Sequence, residues 1–133
     1  MMAALILVFS LATLGMFFVS YCRSLVAASS HHTLSAEVRD VTGIRAAAAG
    51  RDYQRVVQLL QLCPDRVDDR TNLRAVSLYH SLLTFAQHTA ARLAPALLSW
   101  TERERAHCAQ FAAVTLDRRI AFSREMLAQQ AQL

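Results

Sequence analysis

Hydrophobic and polar residues are distributed unevenly along the chain. The first 22 positions hold no Arg, Lys, His, Asp or Glu, whereas all 14 basic and all 10 acidic residues come at Arg23 or later. A helix of 22 residues is about 33 Å long, and the hydrocarbon core of a bilayer is about 30 Å thick. The pattern therefore predicts one transmembrane anchor over residues 1–24.

The side chains of the predicted anchor are mostly large and apolar. Ten of them together favour insertion by about 3 to 6 kcal/mol, which Ser10, Thr13 and Gly15 offset only in part. Tyr21 and Arg23 are expected at the headgroup boundary, where a phenol and a guanidinium fix the depth of a helix. The ten residues expected to contact lipid are Leu5, Ile6, Leu7, Val8, Phe9, Leu11, Leu14, Phe17, Phe18 and Val19.

Two processed forms are alternatives to an uncleaved anchor. One is a secretory signal cleaved near Val26, Ala27 and Ala28, and the other is a lipoprotein modified at Cys22. The apolar stretch is longer than the usual 7 to 15 residues of a signal peptide and no basic residue precedes it, so the anchor is favoured. Tyr21 stands where lipid attachment requires a small residue.

The residues that follow the anchor predict its orientation. Arg23, Arg39 and Arg45 lie after the apolar stretch, and cytoplasmic flanks are rich in Arg and Lys. Three widely spaced cysteines suit a reducing compartment better than a disulfide framework. Lysine is absent, as in a GC-rich coding sequence. We therefore expect a single-pass protein of a bacterial inner membrane with its domain in the cytoplasm.

The remainder, residues 35–133, reads as a small helical domain. Residues 25–34 are small and polar and predict a hinge between anchor and domain. Apolar positions at helical spacing predict short helices over 35–49 and 52–63, the second capped by Asp52 and ended by Pro64.

The last half of the chain predicts two long helices, over 69–95 and 100–130. Asp68 or Asp69 is a candidate cap for the first, and Ser99 with Glu102, like Thr101 with Glu104, has capping-box spacing for the second. The fold class is therefore all-α, with a long antiparallel hairpin closed around Pro95. Residues 75–91 carry no charge, so we expect a buried soluble helix there, with a membrane hairpin inside a larger assembly as the alternative.

Residues 46–65, AAAAGRDYQRVVQLLQLCPD, resemble the second helix of a tetratricopeptide hairpin in their small residues, turn and closing proline. The resemblance covers 20 of 133 residues, and no second copy follows at a period near 34. Two amphipathic helices joined by a tight turn produce the same pattern and are the favoured interpretation.

The chemistry-bearing residues predict neither catalysis nor nucleic-acid binding. No nucleophile elbow, phosphate loop, dinucleotide fingerprint or zinc motif occurs. His80 and His88 are eight residues apart, which suits no metal pair, although a pigment or haem ligated by either is an alternative. The arginines at 103, 105, 118, 119 and 124 alternate with acidic residues and predict a solvated, ion-paired face. We expect no cofactor and no nucleic acid.

The final predicted helix is apolar over an unusually wide arc, so it requires partners on two sides. The preceding helix supplies one, and the short helices or another protein supply the other. The residues predicted to contact a partner are Phe111, Phe122 and Met126. We therefore predict an accessory or scaffolding subunit bound to other integral membrane proteins, with a membrane-tethered adaptor for a soluble partner as the alternative.

Overall fold

A computed structural model of the protein describes residues 1–31, 34–36, 40, 51–64 and 66–133. Over these ranges the chain forms four helices and no strand, which confirms the all-α prediction. The short helix predicted over 35–49 falls mainly outside the described residues. The four helices are α1 (Met2–Ser30), α2 (Arg51–Leu62), α3 (Val67–Leu93) and α4 (Ala96–Ala131).

The first helix does not end where the sequence predicts a hinge. The hinge predicted over 25–34 is wrong for residues 25–30, because α1 is continuous as far as Ser30, and residues 32–33 lie outside the described residues. Cys22, Val26 and Ser29 share one face of α1 and are buried in the domain core. The Ser29 hydroxyl donates to the Val26 carbonyl at 2.7 Å, which satisfies a polar group in the interior. Small side chains thus serve close packing here, and α1 runs without a break from its apolar part to its buried face.

The long antiparallel hairpin is confirmed, and α3 and α4 form it. The Tyr79 hydroxyl on α3 meets Glu104 on α4, and Asp69 near the start of α3 approaches Arg119 far along α4. The turn consists of Ala94 and Pro95. Proline cannot continue α3, and its φ of −63° is already helical, so α4 begins immediately after it.

Two predicted helix starts are wrong for the same reason. Ser99 and Thr101 do not cap α4, since their hydroxyls donate back to the carbonyls of Ala96 and Leu98 at 3.2 and 2.9 Å. Asp68 and Asp69 lie inside the first turn of α3, where their charge favours the positive end of the helix. Both helices begin before the residues with capping spacing, α4 at Ala96 directly after Pro95 and α3 at Val67.

The last helix, α4, is central and packs against α1, α2 and α3. Residues 112–116 are buried on every face of the helix. The wide apolar arc therefore has its two sides covered within the chain, by α3 on one side and by α1 and α2 on others. The sequence did not indicate α1 as one of these partners.

The third helix is only half covered, which corrects the prediction of a buried helix over 75–91. Val76, Tyr79 and Leu83 are buried against the core. Leu78, Leu82 and Phe85, on the opposite face, are exposed. One face of α3 thus completes the domain, and the other presents large apolar side chains outward.

Candidate anchor junction and interaction surfaces

The N-terminal part of α1 has an apolar surface on all sides. Among the described helices α1 is the one long and apolar enough to cross a membrane, and the most apolar window in it is 0% buried. Eight of the ten predicted lipid-facing residues, from Leu5 to Phe17, are exposed. Phe18 and Val19 instead pack against the core of the domain. The free, apolar part of α1 therefore ends at about residue 17.

A buried carboxylate joins α1 to both helices of the hairpin. Arg23 Nε lies 3.5 Å from Glu104 Oε1, and the Tyr79 hydroxyl donates to Glu104 Oε2 at 3.0 Å. Burial and the neighbouring carboxylate raise the pKa of Tyr79 well above its ordinary value, so this phenol remains a donor. The Tyr21 hydroxyl is 3.4 Å from Asn72 Oδ1. The two residues predicted to set membrane depth thus also have partners in the domain, which the sequence did not reveal.

The three predicted partner-contact residues have different surroundings. Phe111 is half-buried and packs against the core. Phe122 and Met126 are 38% and 47% exposed. They lie on the last part of α4, where every residue after Ile120 is exposed except half-buried Ser123. The Arg66 guanidinium lies 5.3 Å from the centroid of the Phe122 ring. We call residues 121–131 the free end of α4, and its apolar positions are available to another molecule.

The two histidines considered for cofactor ligation are not brought together. His80 is buried, and its ring stacks on Tyr53 with the centroids 4.1 Å apart. His88 is exposed and its Nδ1 is 2.9 Å from the Thr84 carbonyl. Over the described ranges, no group of three or more His, Cys, Asp or Glu side chains is placed to hold a metal ion. The position of His80 is that of a core aromatic ring.

The buried His80 predicts a specific dependence of stability on pH. Burial, with a smaller contribution from Arg105, lowers the pKa of His80 from 6.5 to about 4. The His80 imidazole is therefore protonated near pH 6.5 in the unfolded chain, whereas in the folded chain it is protonated only near pH 4. We expect the free energy of unfolding to fall by about 3 kcal/mol as pH decreases through this interval. Chemical denaturation at several pH values, followed by circular dichroism, measures it.

A His80→Phe variant is the matched test of that dependence, because it keeps a ring on Tyr53 and removes the titrating group. It should lose the decrease between pH 6.5 and 4, whereas His88→Phe, at an exposed position, should retain it. Equal pH profiles for the wild type and His80→Phe would contradict the assignment.

A groove of about 380 Å³ lies between α2, α3 and α4. Its lining combines apolar side chains with the arginines Arg70, Arg74 and Arg119. Arg119 is 3% exposed, and its Nη1 donates to the Leu60 carbonyl at 3.1 Å. This corrects the prediction of a solvated arginine face, since Arg119 is inside. The one sequence signal was its position between Leu116 and Ile120, in the middle of the apolar arc of α4.

The contact between Arg119 and the Leu60 carbonyl stabilises the end of α2. The Leu60 carbonyl lies in the last turn of α2, where backbone acceptors have no partner within the helix. This carbonyl accepts from the Cys63 N–H at 3.2 Å, and the guanidinium is a second donor that also favours the negative end of the helix dipole. Asp69 Oδ2 lies 4.0 Å from Arg119 Nε, so the arginine connects α2, α3 and α4.

Three features of the described residues therefore bear on function: the exposed apolar part of α1, its junction with the hairpin through Glu104, and the free end of α4. Each is a surface or a packing contact. Comparison of the chain with protein-family models, with curated proteins and with solved structures found no match.

Proposed function

We propose that this protein is a single-pass accessory or scaffolding subunit of a larger membrane protein complex, and that it acts by protein-protein contact. The observation that supports this most is the continuity of α1. The helix that is apolar enough to span a membrane also contributes Cys22 and Val26, 0% and 2% exposed, to the core of the domain. The anchor and the domain thus form one body.

The same continuity favours an anchor that stays on the mature protein. Cleavage after Ala28 would remove Cys22, Val26 and Arg23 from their contacts with the hairpin. The core would then lose two buried apolar side chains, each typically contributing one to three kcal/mol, and Glu104 would lose a cation. A signal peptide has no need of such contacts, since it leaves the chain before the domain is used.

A rigid connection also distinguishes a scaffold from a tethered adaptor. A flexible link lets an adaptor search a volume around its anchor, whereas a continuous helix fixes the position of the domain relative to the bilayer. A domain held at a fixed position is suited to binding one permanent partner protein in the same membrane. The arginines that follow the apolar part of α1 support a cytoplasmic domain, and the lysine-free composition is the basis for proposing a bacterial inner membrane.

The free end of α4 is the proposed contact surface for that neighbour. Arg23 contacts Glu104, and Ser35, further along the chain, contacts Asp117. From Glu104 onward α4 therefore runs away from the membrane-spanning part of α1. Met126 is 22 residues beyond Glu104, a distance of roughly 33 Å along a helix. The proposed partner is therefore an integral membrane protein with an extramembrane part that reaches this far, and Phe122 and Met126 bind it as helix-face anchors.

A pull-down of the full-length chain in mild detergent tests this proposal. The wild type should copurify with an integral membrane protein at a fixed ratio through size exclusion. The double variant Phe122→Ser, Met126→Ser should retain about a tenth or less of that protein, because the few residues that anchor an interface each cost more than about 1 kcal/mol when truncated. Mass spectrometry of the eluted complexes measures the ratio.

The matched control is Gln129→Ser, Gln130→Ser, which changes two exposed polar residues of the same free end. It should copurify the partner as the wild type does. A chain that elutes alone from native membranes would refute the scaffold role, and copurification of soluble proteins only would favour the adaptor.

A further inference from the structure

The turn of the hairpin points toward the membrane-spanning part of α1. Arg23 faces Glu104 at 3.5 Å, and further along the chain the Ser35 hydroxyl donates to Asp117 at 2.7 Å, so this part of the chain and α4 run in the same direction. Followed backwards from Glu104, α4 therefore approaches the side on which the apolar part of α1 lies. Ala96 is eight residues before Glu104, or about 12 Å along the helix.

The hairpin end, residues 78–101, exposes large apolar side chains on that side. Leu78, Leu82 and Phe85 follow one another at i, i+4 and i+7 on the outer face of α3, and Phe85 is 70% exposed. Leu97, in the first turns of α4, is 50% exposed. Within the described part of the chain nothing covers these side chains, so they form an apolar surface next to the proposed bilayer.

The hairpin end is also almost free of charge. Residues 75–101 contain one charged side chain, Arg92, whereas charges resume at Glu102 and Arg103, beside the junction. An exposed surface of a soluble domain normally carries charge at a much higher density. Arg92 lies in the last turn of α3, where a long side chain can extend its guanidinium to lipid phosphates.

The polar side chains of the hairpin end are largely satisfied within the protein. Hydroxyl groups donate to carbonyls three or four residues earlier in the same helix, at 2.9 to 3.2 Å: Ser81, Thr84, Thr89, Ser99 and Thr101. Gln87 accepts from the Arg105 guanidinium. Polar groups that already have partners cost much less to move out of water. The polar residues that argue against a membrane location in the sequence are thus partly neutralised in the fold.

We infer that the hairpin end enters the headgroup and upper acyl region of the bilayer that α1 spans, as a second membrane contact. The inference rests on the proposed anchoring by α1. Lipid is the occupant that fits, since this surface points toward the apolar part of α1 and lacks the charges that a polar partner would pair with. It lies in the interface and does not cross, because α1 alone among the described helices meets the length and hydropathy of a span. Two contacts fix the tilt and rotation of the domain on the membrane.

Fluorescence quenching in vesicles tests the inference with the full-length chain. Trp100 is the single tryptophan, so the Trp100→Phe background allows one reporter at a time. Reporters are placed by Phe9→Trp in the anchor, by Phe85→Trp in the hairpin end and by Phe122→Trp on the free end of α4. Each variant is reconstituted in phosphatidylcholine and phosphatidylglycerol vesicles, with or without brominated acyl chains. Circular dichroism checks that helix content is unchanged.

We expect strong quenching for the Phe9→Trp and Phe85→Trp variants, several-fold greater than for Phe122→Trp. If Phe9→Trp is quenched while Phe85→Trp matches Phe122→Trp, the second contact is refuted and the anchor stands. If Phe85→Trp and Phe122→Trp are quenched equally strongly, the domain lies flat and the inference is also refuted. If Phe9→Trp is not quenched, the proposed anchoring itself fails.

Discussion

Replacing Leu11 and Leu14 together by arginine is expected to release the protein from membranes. Each arginine near the centre of a span costs about 2.5 to 3.5 kcal/mol, and each lost leucine removes roughly 0.5 kcal/mol of favourable transfer. The total of about 6 to 8 kcal/mol exceeds the 3 to 6 kcal/mol by which the apolar residues favour insertion. Alkaline carbonate extraction of cell membranes measures the result as a shift from the pellet to the supernatant.

The structure makes this test specific for insertion. Leu11 and Leu14 are exposed and lie on the free part of α1, away from Cys22 and Val26 in the core. The released protein should therefore keep its helical circular dichroism and its unfolding transition. The double variant Leu11→Phe, Leu14→Phe is the control and should remain in the pellet. Native protein that begins downstream of Ala28, or a double arginine variant that stays with the membrane, would contradict the proposed anchor.

Replacing Arg119 by leucine is expected to lower the free energy of unfolding by about 3 kcal/mol. The change leaves the Leu60 carbonyl with the Cys63 backbone N–H, at 3.2 Å, as its donor, and it leaves Asp69 without the neighbouring cation. Removing one member of a buried, charge-assisted contact typically costs 3 to 5 kcal/mol, and the partial exposure of Asp69 places this case at the lower end. Urea unfolding followed by Trp100 fluorescence and circular dichroism measures the loss.

Arg118 supplies the control for Arg119, since it is the adjacent residue on α4 and is exposed. Arg118→Leu should change the free energy of unfolding by no more than about 0.5 kcal/mol, as most surface substitutions do. Similar losses in both variants would show that charge on this helix matters in general, and that the buried contact with α2 has no special weight.

The sequence by itself was sufficient for the fold class and for the four described helices. The absence of charge before Arg23 identified an apolar helix of membrane-spanning length. Helical spacing, with Pro64 and Pro95 as breaks, identified α2, α3 and α4 and the hairpin. These features are local. A proline acts on its own stretch of backbone, and a charge or a periodic apolar stripe reflects the solvent around it, so one sequence is enough to identify them. Phe122 and Met126 were also singled out from the stripe, and their use by a partner stays a prediction.

Only the tertiary structure decided which faces meet. It showed that α1 continues through residues predicted to form a hinge and that Arg119 is buried. It also showed that Glu104 contacts both Tyr79 and Arg23. Phe111, on the same stripe as Phe122, turned out to pack against the core. The physical reason is that burial of a charge or a small residue depends on groups supplied by other helices, such as Leu60 for Arg119, 59 positions away. The spacing of apolar residues within one helix predicts which face is apolar, but it does not predict which other helix covers that face.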